Sequence, residues 1–405
     1  MKQLLICLFI GNAVATFLTS PLQAATHTWA GAGLSGFWSL PANWAGNNPP
    51  TAGEAAPVTI SFPSGAGRLN NTNNLGGLVI DELAFLGTGY TLNGSGGDTN
   101  VTLRGGGGTA LLGGANTTNT FAGSFNLILS NNVPITINSG GSIVADGILQ
   151  GTGGFSKYGL GTLTLFANDA DTYIGPTYVI SGALKIYCGS FLSPQVAVRG
   201  YLEIGGGSGL ATVQLLANSQ LSSTATLQVD TNGTLDLNNH SATCGPLILN
   251  NMLSGSSPHV MTGSGILTLN GDVGGSGGYF DGILSLGGTT RQFSTTNTDI
   301  VAYATIINGG AAAGIIKNGD GYLALKSSNS FSGPITINAG AVAPADPHAL
   351  GTGAGGVTVN SGGALALISS LPMTITNTIH MRINKATLVS RKPCRERIFV
   401  LSAVF

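Results

Sequence analysis

The stretch GFSKYGLGTLTL at residues 154–165 has a second version, GIIKNGDGYLAL, at residues 314–325. The two lie 160 positions apart (154 to 314) and share their glycines, one lysine and two leucines. Each continues through a Gly-Pro step and an alternating segment to a Gly-Ala pair. A phrase that recurs at fixed spacing predicts a repeat architecture. It favours a structural or surface role over catalysis, because no reactive group recurs in it.

The composition around these phrases is typical of strands and turns. Glycine accounts for 64 of 405 residues, well above the usual share of about 7%. Only 8% of residues are charged, whereas about 25% is usual for a globular domain. Long amphipathic helices need charged helix formers, which this chain nearly lacks. The net charge of −1 argues against a nucleic-acid surface.

We therefore predict an all-β protein, a right-handed single-stranded parallel β-helix (solenoid) with roughly 20 to 25 residues per coil. Glycine suits the corners, since corners demand positive φ. Asparagine and threonine would form hydrogen-bonded ladders on stacked faces. Charges would be few because like charges repel when stacked. An array of β-sandwiches is the alternative fold.

The first residues have the layout of a secretory signal peptide, which we assign to residues 1–25. Lys2 is followed by the apolar run from Leu4 to Ile10, and small residues at Ala24 and Ala25 offer a cleavage site. The apolar run is too short to span a bilayer, although a retained anchor is the alternative. We expect the mature chain to be exported.

The two phrases resemble the autotransporter-associated β-strand repeat, also called the passenger-associated transport repeat. Repeat cores fall at about residues 154–184 and 314–342. The resemblance implies a β-helical passenger region of large exported bacterial surface proteins. On this basis residues 26–380 form the passenger-like repeat region. No membrane barrel or anchor of its own is visible in the sequence.

Residues 381–405 form an atypical basic tail, in which the glycine-, threonine- and asparagine-rich style ends abruptly. We expect this tail to be a truncated or frame-shifted end that packs poorly. At the other end Trp29, Trp38 and Trp44 are every tryptophan in the chain. They favour a cap over the first coil, and a sugar-stacking surface is the alternative. Lys157 and Lys317 have no acid partner in the motif, so we expect them at solvated corners.

Candidate catalytic groups are scattered. Extracellular β-helices often cleave polysaccharides with clustered carboxylates, and Asp169 and Asp171 share one side of the first repeat's longer loop. We expect these acids at turns or on the surface. The five histidines form no close group. Ser276, in a Gly-Gly-Ser-Gly-Gly turn, lacks the strand-to-helix context of a nucleophile elbow. Of the cysteines, Cys188 and Cys244 read as buried free thiols.

We assign no catalytic, cofactor-binding or metal-ligating residue and predict no cofactor. The sequence favours a secreted or cell-surface, adhesin-like structural protein that is not an enzyme, with a cell-surface or extracellular polysaccharide or protein as partner. An extracellular polysaccharide-acting β-helix enzyme is the alternative, and a truncated remnant without an independent role is a third interpretation.

Overall fold

Short segments that alternate apolar and polar residues form the strands of a parallel β-solenoid. The computed structural model describes residues 25–95, 100–105, 108–167, 171–190, 193–251, 254–296, 298–368, 374–382, 386–391 and 398–403. These residues form about 14 turns of solenoid with almost no helix, so the prediction of an all-β parallel coil is confirmed. The predicted signal peptide lies almost wholly outside the described residues.

The first side of the solenoid is a continuous sheet of 16 strands. Each described strand in it pairs in parallel with strands one turn before and after. Its strands are Ala25–Thr28, Val58–Phe62, Glu82–Phe85, Leu111–Gly113, Val133–Ile137, Phe155–Tyr158, Thr177–Val179, Leu202–Ile204, Leu227–Asp230, Leu247–Asn250, Val273–Gly275, Arg291–Thr295, Ile315–Asn318, Ile335–Ile337, Val357–Val359 and Ile379–Met381.

The second side follows the first within each turn. Its parallel strands are Asn70–Asn73, Thr91–Gly94, Thr118–Phe121, Ser142–Ala145, Thr162–Ala167, Gly182–Ser190, Ala211–Leu215, Gly233–Asp236, His259–Leu269, Gly278–Ser285, Ile300–Ala302, Tyr322–Leu325, Gly340–Pro344 and Gly363–Ile368. A short strand, Ser193–Pro194, pairs antiparallel with the end of Gly182–Ser190.

The third side is shorter. Early in the chain it contains Leu78–Ile80, Val101–Leu103, Leu127–Leu129 and Leu149–Gln150. In later turns Ala242–Cys244 and Thr305–Ile307 take the same place, pairing with the far ends of the two longest strands of the second side. Two single-turn 3₁₀ helices, Pro41–Asn43 and Ala45–Asn47, interrupt the first turn.

The length of a turn follows from the strand register. Leu227 pairs with Leu247, 20 residues on, and Thr177 pairs with Leu202, 25 residues on. The predicted period of 20 to 25 residues is therefore confirmed. Within each strand every second side chain points inward, and one continuous apolar core runs through the solenoid.

Asparagine ladders form on the outside, as the composition predicts. The side-chain amide of Asn318 donates to Gln292, that of Asn338 donates to Asn318, and that of Asn360 donates to Asn338. The three nitrogen–oxygen distances are 2.9, 2.9 and 2.7 Å. This amide ladder links four successive turns by side chains as well as by backbone.

The three tryptophans fill the interior at the first turns. Their side chains are at most 2% exposed. Each indole N–H donates to a buried oxygen, and the Trp38 bond to the Asn71 side chain measures 2.7 Å. The rings of Trp29 and Trp38 each meet Trp44 edge-on. The sugar-stacking alternative is excluded for these residues, because no ring face is open to solvent.

The tail is not unpaired. Ala386–Arg391 and Ile398–Ala403 form an antiparallel pair, and the second strand also pairs antiparallel with Gly363–Ile368. The expected break from the coil pattern is present, because these strands reverse direction. The expectation of poor packing is wrong for the backbone of these two strands, which extends the second side of the solenoid.

Candidate functional site

The most informative site is the buried lysine of the first repeated phrase. Lys157 ends an inward-facing position of Phe155–Tyr158 and is fully buried. Its Nζ donates to the carbonyl oxygens of Tyr158, Gly159 and Ser181 at 3.0, 2.7 and 3.0 Å. Two acceptors belong to its own corner and the third to the next turn. The ammonium group therefore ties successive turns together.

Lys317 repeats this arrangement in the second phrase. It too is fully buried, and its Nζ donates to the carbonyl oxygens of Asn318, Gly319 and Ala339 at 2.6, 2.7 and 3.2 Å. The expectation that both lysines are solvated is wrong. We call each lysine with its three acceptors a lysine clamp, and the absence of an acid partner was misleading because backbone carbonyls replace the acid.

Burial lowers the pKa of each lysine to about 8. That value is still above neutral pH, so both groups carry a charge at pH 7. An ammonium has three N–H donors for three acceptors, whereas a neutral amine has only two. The negative charges of Asp320 and Asp299 partly offset the effect of burial on the pKa of Lys317.

The glycines of the phrase make room for the clamp. Gly159 and Gly319 both have φ of +74°, a conformation that favours glycine. A Cβ at Gly182, in the next turn, would lie 2.3 Å from the Gly159 oxygen and 2.8 Å from Lys157 Nζ. The Gly-x-Gly corner and the later Gly-Ala pair are thus required by one packed contact.

The candidate acids lie apart from this site. Asp171 is fully buried rather than at the surface, so that expectation is wrong. Asp169 lies outside the described residues. Asp81 accepts from the Val58 amide at 2.7 Å and pairs with Arg104 at 2.8 Å, a structural role. Ser276 is buried in a corner between strands, where its Oγ accepts from the Asn251 amide.

One carboxyl pair escaped the sequence reasoning. Glu203 and Asp230 come from successive turns of the first side and both face outward. Burial, followed by the charge of Asp230, raises the pKa of Glu203, while a 2.7 Å hydrogen bond from Tyr201 opposes the shift. The signal was their equal outward phase in adjacent strands, which is readable only once the register is known.

Other reactive groups are held inert or are isolated. Cys188 and Cys244 are free and buried, as predicted. Burial raises the pKa of Cys244 to about 12 and moves that of Cys188 upward as well, so both stay thiols. Within the described ranges, no three histidine, cysteine, aspartate or glutamate side chains are grouped to hold a metal ion. Nor does any helix there have the length and apolar character to cross a membrane.

Comparison with known families decides what the repeated phrase is. Residues 155–186 and 315–343 match the family model described as Passenger-associated-transport-repeat. The chain contains two passenger-associated transport repeats. No curated protein and no solved structure matches the chain. The matched segments begin one residue after the predicted cores and end within two residues of them, so the sequence resemblance is confirmed.

Each passenger-associated transport repeat spans slightly more than one turn of solenoid. In both, the match begins with the strand that carries the clamp lysine and ends in the second-side strand of the following turn. The lysine clamp, including its acceptor in the next turn, therefore lies entirely within each repeat. It is the polar feature that the two repeats share atom for atom.

The two repeats also share a buried side chain that holds the preceding turn. In the first, Asp171 Oδ1 accepts from the Leu149 amide at 2.8 Å. In the second, Asn329 Oδ1 accepts from the Ile306 amide at 2.7 Å. Burial, listed first among its causes, raises the pKa of Asp171 to about 6. Its other oxygen accepts from the Cys188 thiol at 3.3 Å.

Proposed function

We propose that this chain is a secreted or cell-surface structural protein, a non-catalytic passenger-type rod that presents its outer faces for adhesion. The observation that carries the proposal is the pair of passenger-associated transport repeats built into a continuous solenoid. Such repeats belong to autotransporter passenger domains. We further propose that the coil is right-handed, as crossover connections between parallel strands almost always are.

The absence of a shared reactive group supports a structural role. The groups that the two repeats have in common are glycines and a fully buried lysine bonded to backbone carbonyls. A buried clamp has no access to a substrate, and its function is to join turns. We propose extracellular polysaccharide or protein as the partner of the rod, and export through the segment at residues 1–25.

Localisation tests the proposal. The full chain carrying a carboxyl-terminal epitope tag is expressed in a Gram-negative host, and intact cells and culture fluid are probed before and after protease treatment. We expect the tag in the culture fluid or in a protease-sensitive form on intact cells. A protein that stays protease-resistant until the cells are lysed would contradict export. Deletion of residues 2–25 is the matched control and should retain the protein inside.

A polysaccharide-acting enzyme is the second candidate, because Glu203 meets Asp230 on the outer face. Purified mature chain is incubated with pectin, alginate and glycosaminoglycans, and reducing ends and unsaturated products are measured. We expect no turnover. Turnover that is abolished by Glu203→Gln or Asp169→Asn, but retained by the Asp272→Asn control, would replace the structural proposal with the enzymatic one.

A further inference from the structure

Two pairs of aromatic rings lie on the outside of the second side, where the core does not use them. Phe166 and Tyr187 are register partners on adjacent strands, with ring centroids 4.6 Å apart and planes at 19°. Tyr279 and Tyr303 lie further along, 6.2 Å apart at 31°. Phe166, Tyr279 and Tyr303 are 41%, 37% and 50% exposed. Exposed aromatic groups of this kind mark interaction sites.

A row of outward side chains connects the two pairs along the rod. Its members occupy the same register position in successive turns. They are Lys185, Gln214, Asp236, Met261 and Asp281. With about 4.8 Å between strands, the row covers roughly 19 Å from first to last. We call the row and the two ring pairs the outer track.

Polar groups of the track are held in place by one another. The amide of Gln214 donates to Asp236 Oδ2 at 2.9 Å. His259 Nε2 is hydrogen-bonded to Asp281 Oδ2. The His259 ring also meets Tyr279 edge-on, with centroids 6.2 Å apart. These contacts fix donors and acceptors beside the exposed ring faces, so the track is preorganised to bind a ligand.

The shape and charge of the track select the class of ligand. A protein partner typically buries a broad apolar centre within a polar rim, whereas this track is narrow and follows the rod axis. Its row carries one lysine and two aspartates, so an acidic polymer would face the carboxylates of Asp236 and Asp281. A hydroxyl-rich uncharged chain fits both features. Sugar rings present apolar C–H faces to aromatic rings and hydroxyls to carboxylates and amides.

We propose that the outer track binds an uncharged polysaccharide that lies along the rod. The ring pairs stack on sugar rings at the two ends, and Gln214, Asp236 and Asp281 form hydrogen bonds with hydroxyl groups between them. This inference rests on the proposed extracellular function, for which it names the partner class. It involves no bond cleavage.

Affinity electrophoresis and calorimetry with purified mature chain test the inference. The probes are hydroxyethyl cellulose, xyloglucan and laminarin, with polygalacturonate as the charged comparison. We expect retardation by at least one uncharged glucan and a weaker effect of polygalacturonate. Absence of binding to all three uncharged probes would overturn the inference, and so would stronger binding to polygalacturonate. Either result leaves the localisation experiment unaffected.

Variants locate the binding. Tyr279→Ala combined with Tyr303→Ala should weaken binding at least tenfold, and Phe166→Ala should weaken it severalfold. Tyr158→Ala is the matched control, because Tyr158 is 40% exposed and lies on the first side. Circular dichroism and urea midpoints should be unchanged, since exposed rings contribute little to the core. Equal loss in the control, or none in the double variant, would place the glycan elsewhere and overturn the assignment.

Discussion

The first and second passenger-associated transport repeats keep the same backbone contacts but fill the surrounding interior differently. Both clamp three carbonyl oxygens with a buried lysine. Around the clamp, polar pairs in one repeat are replaced by other pairs in the other. The substitutions at matched positions are Asp171 and Asn329, Tyr173 and Phe331, Thr177 and Ile335, and Ile137 and Thr295.

The difference teaches which contacts define the repeat. Tyr173 Oη and Thr177 Oγ1 are buried and 2.7 Å apart. In the second repeat Phe331 and Ile335 replace both partners, so neither leaves an orphaned hydroxyl. Buried polar partners are thus exchanged together, which is the outcome expected when an unpaired buried group costs more than a lost pair. The glycines and the lysine are constant because backbone atoms are their partners.

Removal of the clamp should have the largest effect. Lys157→Met and Lys317→Met each leave three carbonyl oxygens without the ammonium donor. At about 1–3 kcal/mol per unsatisfied acceptor, less the relief of burying no charge, we expect about 4 kcal/mol lost from each repeat. Urea unfolding measures the loss, and hydrogen exchange should localise it to the altered turns. A loss in one repeat only would break the equivalence of the two clamps.

The pH dependence of Asp171 should be the next largest effect, with Asn329 as its uncharged counterpart. The pKa of Asp171 is about 6 in the folded chain, above its usual value. The folded state therefore binds the proton more tightly, so the stability from this group is present at pH 3.5 and is lost as pH rises to 6. Roughly two pKa units correspond to about 3 kcal/mol.

Asp171→Asn removes this titration and is the variant to measure. Its free energy of unfolding relative to the wild type should increase between pH 4 and pH 6 and then stay level. Asn329→Asp, the reciprocal change, should introduce a loss of stability with rising pH in the second repeat. Parallel pH profiles for wild type and Asp171→Asn would show that burial does not shift this carboxyl.

The Tyr173–Thr177 hydrogen bond supplies a double-mutant cycle. Tyr173→Phe alone strands the buried Thr177 hydroxyl and should cost about 2 kcal/mol. Combining it with Thr177→Val, which resembles the all-apolar pair of the second repeat, should recover most of that loss. Urea unfolding of the four proteins gives the coupling energy. Additive losses would mean that the two hydroxyls do not act as a pair.

The smallest expected effect is a gain. Thr295 Oγ1 is buried without a hydrogen-bond partner among the described residues, at the position that Ile137 fills in the first repeat. Thr295→Val should stabilise the chain by about 1 kcal/mol. Ile137→Thr, the reverse change, should destabilise the first repeat by a similar amount or more. A destabilising Thr295→Val would indicate that the hydroxyl has a partner the other repeat lacks.

The sequence predicted the features that depend on local pattern. Alternation gave strands such as Leu202–Ile204, and glycine at Gly159 and Gly319 marked positive φ. The repeat family followed from spacing. The burial of Lys157 and Asp171 was not predictable, because their partners are backbone atoms one turn away and backbone atoms carry no sequence signal. The Glu203–Asp230 contact likewise required the register between turns.

The amide ladder from Gln292 to Asn360 has a mechanical consequence. Its hydrogen bonds run along the axis of the rod, so a pull on the two ends loads every junction between turns in series, and the weakest junction yields first. Four consecutive turns carry side-chain ties in addition to the backbone. We expect single-molecule stretching to rupture this segment last, and Asn338→Ala to lower its rupture force. A tether exposed to shear would then lengthen from its other parts while this segment stayed intact.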